Sequence, residues 1–343
     1  MRPSRLTRRR LAVVLLLLSA LLAASMILAL GVGSVRLSLA AILRGLLGRD
    51  AAEQASVILL QIRLPRILLA ALTGAALSCA GAAFQAVLRN PLADPYILGI
   101  SGGAALGAIL SSLAASGNSL GDLVARPLAS FAGASLTVLI ILALSRSRGV
   151  AASTPMLLIG WIFNSFFLAL ILFLESAVDF SRVRGAIFWL VGTLSPVPYP
   201  VLLALAVAVG GGASLLWLLS RNFDLICAGE ETARHLGCNV ERTRFLAILC
   251  ASLITAAVVS FSGLIGFVGL IVPHAARFLF GPDHRLLLPA SALLGAMALV
   301  LADALSRTLL APTEVPVGVI TVLVGGPAFI LLYRRHRREV SVE

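Results

Sequence analysis

Apolar runs of helical length fill this chain, separated by short breaks marked by arginine, proline and glycine. At about 20 mainly apolar residues per membrane crossing, they predict ten spans. The first covers residues 11–30, behind a basic cluster between Arg2 and Arg10. Such a start could pass for a secretory leader, but the run is long enough to span and shows no clear small-x-small cleavage site. It reads as an uncleaved first span with its N-terminus in the cytoplasm. Leu39, Ile42, Leu43, Leu46 and Leu47 then follow helical spacing and predict an amphipathic helix on the outer membrane surface. Pro65 suits the first turn of the second span, which runs to about Leu88. Pro91 and Pro95 forbid a continuous helix beyond it. The third span opens near Ile97, where Gly99, Gly103 and Gly107 let another helix approach.

The fourth span is expected at 124–144 and the fifth at 153–174, opened by Ser153, Thr154 and Pro155. A short apolar piece, 186–191, cannot span. The sixth is expected at 201–219, the seventh at 245–261 and a glycine-rich eighth from Gly263 to about Phe280. The ninth follows at 286–305 and the tenth at 317–333. Between the sixth and seventh lies the one long polar stretch, 222–244. Asp224 can cap a first short helix stopped by Gly229, and 230–236 reads as a second, stopped by Gly237. Glu230 and Arg234, and Glu231 and His235, are spaced to pair within it. Asn239 can cap the next long helix. A compact helix-turn-helix outside the membrane is either a docking surface or a solvated connector.

Composition agrees with a polytopic membrane protein: 343 residues, 59% hydrophobic and only 12% charged, against about 25% charged in soluble domains. Every Lys-or-Arg position is arginine. With no lysine there is no Walker A loop, so any ATP would be hydrolysed by another chain. The net charge of +12 is spread between apolar spans and does not form a nucleic-acid face. With the N-terminus inside, 18 of the 27 arginines fall on the cytoplasmic side and 9 outside, as the positive-inside tendency requires. This orientation puts 222–244 and both termini in the cytoplasm. Cys79, Cys227, Cys238 and Cys250 have no metal or disulfide spacing.

The ordered motifs RLPR, QAVLRNPLADPYILGISGGAALG, GEETARHLG, GFVGLIVPHAAR, FGPDHRLLLP and EVPVGVITVLVGGPAF resemble the FecCD-type permeases. These are membrane subunits of type II ABC importers for iron-siderophores, haem and cobalamin. The resemblance covers residues 61–333, and the ordered set is far more specific than any single motif. It implies an all-α permease, one transmembrane domain over 1–343, working as a homodimer in a bacterial inner membrane. It also implies two cytoplasmic ATP-binding subunits, which use the ATP and Mg, and a soluble binding protein outside. This chain would bind no cofactor or metal of its own.

The same resemblance assigns residues. Gly229, Glu230, Ala233, Arg234, Leu236 and Gly237 would dock the ATPase. Arg63, Arg66 and Arg307 would meet acidic residues of the binding protein. Alternatively they only anchor helix ends, and Asp303, four residues before Arg307, offers a competing local ion pair. The pathway would involve Trp161, Asn164, Ser165 and the region Val317 to Thr321. An inner gate would fall at Asn90, Leu92, Ser153 and Thr154. Asn164 and Ser165 could equally make ordinary interhelical hydrogen bonds. Phe163, Phe166 and Phe167 crowd the fifth span, a departure from cobalamin-type members. An iron chelate is the first expectation, because most uses of the family are of that kind; cobalamin and haem stay open.

Two other classes compete. Gly99–Gly103 matches Gly-x-Ser-x-Gly around Ser101, and His274 lies in a span, which an intramembrane serine hydrolase would need within reach. A proton-coupled transporter would need an ionisable residue near the midplane, for which Asp303 is almost the only candidate and sits towards an outer end.

Overall fold

The computed structural model describes residues 7–33, 54–114, 120–146, 153–176 and 190–340, with positions 38, 40, 42 and 44 between the first two stretches. The helices are α1 (Arg8–Gly31), α2 (Leu64–Val87), α3 (Ile100–Ala114), α4 (Leu120–Arg146), α5 (Ser153–Ser176) and α6 (Tyr199–Leu218). Next come the short α7 (Ser220–Ala228) and α8 (Glu230–His235). The series closes with α9 (Val240–Ser262), α10 (Val268–Phe280), α11 (His284–Ser306) and α12 (Val317–Val340). Among the described residues there is no β-strand, only a bridge between Leu310 and Thr313.

Each of the ten expected spans contains a helix among the described residues. Seven segments are long and apolar enough to cross a membrane, and three apolar helices, Ile100–Ala114, Val268–Phe280 and Val317–Ile330, are shorter. The eighth span differs from its expectation. Residues 263–267 are not helical, Phe267 has φ 69°, and the helix begins only at Val268. This irregular backbone finds partners inside the protein. Ile265 N donates to the Tyr96 hydroxyl at 3.0 Å, and Ser262 O, where α9 ends before the break, accepts from Thr193 N. Non-helical backbone at membrane depth survives only when it is satisfied this way.

Helix α2 is the axis. It buries Ile67, Leu69, Leu77 and Phe84 completely. In a regular helix the Pro65 ring would meet the carbonyl four residues back; the turn Ile58–Arg63 before it is opened to π geometry, with Leu64 N donating to Leu59 O. Two glycine contacts set its neighbours. A Cβ on Gly74 would collide with the Gly295 carbonyl of α11, and one on Gly81 with the Gly269 carbonyl of α10. Helices in lipid gain mainly from such close van der Waals packing. The same logic joins α3 to α4, where Gly103 and Gly107 meet Gly133 and Ala129. Gly99 is used otherwise, as a left-handed residue (φ 76°) between a 3₁₀ turn and α3. Of the amphipathic stretch after α1, Ile42 is buried in the main core; Leu39, Leu43, Leu46 and Leu47 lie outside the described residues.

The stretch from Arg66 to Val87 makes the axis about 32 Å long. The Arg66 end collects the ends of α1 and α11. The Val87 end carries α7, α8 and the starts of α9 and α11. Helix α1 also starts at this end, where Arg10 donates to Phe280 O at 3.3 Å.

Overpacking a buried site costs about 1–3 kcal/mol. Gly295→Leu is expected to lose at least that, because its Cβ would strike Ser78 and the Gly74 carbonyl. A Cβ on Gly210 of α6 would meet nothing within 4 Å among the described residues, so Gly210→Ala should instead gain about 0.5–1 kcal/mol. Thermal melting of the purified protein in detergent checks both signs.

Candidate functional site

At the Arg66 end, three arginines point inward. Arg66 Nε donates to Asp303 Oδ1 at 2.7 Å and its Nη1 to Glu314 Oε2 at 2.7 Å. Arg307 Nε donates to Asp303 Oδ2 at 3.0 Å, and its other nitrogens reach the carbonyls of Val32 and Ala29. Arg63 Nη1 donates to Leu30 O at 2.7 Å. All three are buried, Arg63 at 4%, Arg66 at 8% and Arg307 at 6% exposure, and Asp303 is fully buried. The local Asp303–Arg307 pair expected from their spacing therefore forms. The sequence-based expectation of outward-facing arginines meets a different placement: these side chains tie the C-terminal end of α1 and the start of α2 to α11. Glu314, half exposed, is the cluster's outermost charged group.

At the Val87 end, 220–244 folds on a core of its own, made by Ile226, Ala233, Cys238 and Val240. Gly229 (φ 137°) and Gly237 (φ 81°) provide turns that residues with a Cβ rarely adopt. Asn239 caps α9 by accepting from Arg242 N at 2.9 Å, as expected. Two expectations change. Asp224 lies inside α7, which starts at Ser220, and caps nothing on its own helix; it accepts from the backbone N of His284 at 3.0 Å. Glu230 pairs with Arg244 at 2.5 Å instead of Arg234, and Arg234 stands 3.9 Å from Glu241. Arg244 also donates to Val87 O at 3.2 Å, fastening the segment to the end of α2.

Of the six expected docking residues, Ala233 is fully buried and holds the small core. Leu236 is 64% exposed, an apolar side chain presented beside the exposed Arg234. Gly229, Glu230, Glu231, Thr232 and Arg234 line an open cavity of about 560 Å³ together with Arg89. Sequence reasoning did not single out Arg89; its positive φ of 50° is the local signature that a helix has just ended. In the adjoining turn, Arg285 holds the Asp283 carboxyl below the usual carboxylate range.

The pathway residues separate into two groups. Trp161 is 65% exposed and Ser165 is exposed, on a face of α5 that also shows Ile162 and Phe166. Asn164 turns inward: its Oδ1 accepts from Ser101 Oγ and Gly102 N at 3.1 Å, and its Nδ2 donates to Tyr96 O at 2.9 Å. The interhelical alternative read from sequence is thus realised for Asn164. Val317 is 1% and Thr321 8% exposed, both packed inside the chain, whereas Val322, Leu323 and Val324 beside them are exposed. Asn90 accepts from Leu92 N at 2.9 Å in a side-chain-closed turn, leaving Leu92 45% exposed. Ser153 and Thr154 begin α5; their side chains lie outside the described residues. Nearby, burial pushes the Asp94 carboxyl up to about 6, although it accepts from Tyr96 N at 2.9 Å.

The competing classes fare poorly on this geometry. The Ser101 hydroxyl donates to Asn164, and Gly99 leads from a 3₁₀ turn into a helix without the strand that a nucleophile elbow requires. Asp303 is matched by two arginines at the end of a helix.

Long spans and broken, shorter helices around a buried central helix, with a self-supporting polar hairpin at one end, define an all-α polytopic permease of the type II ABC importer fold. The chain belongs to the FecCD transport family, whose profile matches residues 21–335. It superposes on a solved ABC transporter described as of metal-chelate type, in an inward-facing conformation, with TM-score 0.81 and 30% identity, covering 94% of this chain and 99% of the other. It is 45% identical to the cobalamin import permease BtuC of Halobacterium salinarum over 82% of this chain and 74% of that protein. It is 40% identical to the hemin transport permease HmuU of Yersinia pestis over 82% and 84%.

Removing one member of a buried ion pair costs about 3–5 kcal/mol, mostly from the charge left behind. Asp303→Ala removes the only acid paired with Arg307 among the described residues and one of the two paired with Arg66, and should lower the melting temperature and membrane yield sharply. Glu314→Gln, at a half-exposed site, should cost about 1 kcal/mol or less. Equal losses for the two would contradict a buried clamp centred on Asp303.

Proposed function

We propose that this chain is the membrane pathway of a binding-protein-dependent ABC importer that takes up a metal already wrapped in an organic chelator. A ferric siderophore is the first cargo to test, with haem and cobalamin as the alternatives. The observation that carries the reading is the 220–244 hairpin. It has its own core, is fastened to α2 and α9 through Arg244, and offers Leu236 and Arg234 outward. A solvated connector needs none of these; a lever that meets a separate ATPase needs all of them. The family membership and the two cargo-named relatives support the substrate class, since hemin and cobalamin both enclose their metal before transport.

Two copies of the chain would form the importer. The exposed faces of α5 and α12, with Trp161, Ile162, Phe166, Leu323 and Val324, are the surfaces that a partner copy would cover to enclose a pathway. Two ATPase subunits would close on ATP and Mg on the cytoplasmic side, where the hairpin and both termini would lie in a bacterial inner membrane. A soluble binding protein would deliver the chelate at the Arg66 end. Since Arg63, Arg66 and Arg307 are largely committed inside the fold, their part in delivery would be to hold the rim that carries Glu314. Closure of the ATPases would move the hairpins and switch the open side of the cavity.

Two experiments test this. Uptake of labelled ferric siderophore, haem and cobalamin is measured in a strain without its own chelate permeases, supplied with this chain and its neighbouring ATPase and binding-protein genes. Uptake of one ligand, abolished by an ATPase-dead partner, is expected; assembly of all three proteins without uptake of any ligand would refute the cargo class. Second, Gly237 donates its N–H to Arg234 O at 3.0 Å and has φ 81°, neither of which proline can supply. Gly237→Pro should remove ATPase copurification and transport while the permease remains in the membrane. Normal recovery of the ATPase with that variant would refute the docking role.

A further inference from the structure

We propose that His284 and Asp224 form a positioning latch that carries movement of the α7–α8 hairpin into α11; this rests on the coupling role proposed above. His284 is the first residue of α11 and is almost wholly shielded from solvent, its side chain being 3% exposed. Its ring Nδ1 lies 2.6 Å from Asp224 Oδ1, and its backbone N donates to the same oxygen at 3.0 Å. A carboxylate oxygen accepts, so Nδ1 carries the hydrogen. The other ring nitrogen, Nε2, is buried with no hydrogen-bond partner among the described residues. The ring is therefore held by one edge alone, with the fully buried Phe223 standing edge-on at 5.8 Å.

Two acidic residues thus serve the start of one helix. Asp283 caps α11 in its own chain direction through Arg285 N at 3.0 Å, and is paired with the Arg285 guanidinium. Asp224 supplies a second carboxylate from a different helix, where the N-terminal dipole of α11 favours it. Trp217 Nε1 adds a third tie, donating to Arg285 O at 2.9 Å from the end of α6. α11 then runs along α2, through the Gly74–Gly295 contact, to the buried Asp303 at its far end. One continuous helix, with Pro289 inside it, joins the hairpin to the charge cluster, and the latch is the joint at its near end. Asp224 is on the hairpin's first helix, so any displacement of the hairpin pulls on the first turn of α11.

A merely structural cap would cost folded protein and nothing else; a latch would cost transport per ATP. Asparagine keeps a donor where Nδ1 stands, while glutamine places it near Nε2. The full importer, with its ATPase and binding protein, is reconstituted in proteoliposomes with wild-type permease, His284→Asn, His284→Gln and His284→Ala. Cargo uptake, ATP hydrolysis and thermal melting are recorded for each. Coupling free energies between sites correspond to about 5–150-fold. The glutamine and alanine variants should lose about tenfold in uptake per ATP hydrolysed while retaining the ATPase, and asparagine should stay within about threefold of wild type. Asp224→Asn, which keeps the accepting oxygen, and Asp224→Ala should divide in the same way, which covers the case in which His284→Ala fails to fold. Unchanged uptake per ATP in the glutamine or Asp224→Ala variants overturns the latch. So does a loss that only follows the fraction of folded protein, with asparagine no better than alanine. Failure of the wild-type permease to retain the ATPase would count against the proposed function itself and not against the joint.

Discussion

Backbone-to-backbone contact along α2 is the constraint on which the rest depends. Gly74 and Gly81 bring its main chain against Gly295 of α11 and Gly269 of α10, each within the radius a side chain would occupy. Lipid offers no hydrophobic drive for helices to associate, because hydrocarbon tails are as apolar as leucine. What holds the bundle is close dispersion contact, and its backbone-to-backbone part exists only where side chains are absent. Once α2 is fixed at this distance, α11 must run beside it from end to end. The ends of both helices then come together, which brings Arg66 next to Asp303 and puts Val87 within reach of Arg244.

The charged groups follow from that alignment. Asp303 in a buried position would be untenable alone; two guanidiniums at 2.7 and 3.0 Å make it tolerable. The arginines in turn spend their remaining donors on Leu30, Ala29 and Val32, the carbonyls left open where α1 ends. One cluster therefore neutralises a buried acid and closes a helix terminus. At the opposite end Arg244 does two jobs in the same way, satisfying Val87 O at the end of α2 and pairing with Glu230.

Much of this is legible in the sequence. Apolar run length locates a helix in each expected span, seven of them long enough to cross a membrane, and glycine and asparagine punctuation locates the hairpin to within a residue at Gly229, Gly237 and Asn239. The ion pair between Asp303 and Arg307 follows from spacing alone. What cannot be read is which residues face each other across helices. Glu230 can be given a partner four residues away, but its actual partner, Arg244, lies fourteen residues on, beyond any local rule. Asp224 reads as a cap of its own helix because local capping is the only partner a sequence exposes; its true partner lies sixty residues later. The eighth span reads as helical because its composition is apolar, whereas Gly263 and Phe267 with positive φ make a break that is held by Tyr96, from elsewhere in the chain. Arg63 and Arg66 are assigned to docking by the family resemblance, with helix-end anchoring as the alternative; only the fold supplies the acid and carbonyls that make their burial acceptable.

A transporter of this build needs rigid parts that move against one another and softer joints between them. The rigid parts are the helix pairs locked at glycine contacts, since a jammed backbone contact leaves no room to slide. The joints must lie where contacts are polar and few. Three such places stand out: the turn 281–283 and first residue of α11, the 263–267 break before α10, and the Asn90–Gly99 connection before α3. Each is held by a handful of directional hydrogen bonds, from Asp224, from Tyr96 and from Asn164. Such bonds have one good geometry and weaken steeply away from it, so a small displacement can release one arrangement and favour another without deforming the packed helices. Tyr96 links two of the joints directly, accepting from Ile265 N through its hydroxyl and from Asn164 Nδ2 through its carbonyl. The break before α10 and the inward face of α5 that carries Asn164 are thereby tied through one residue, and neither can shift far without the other.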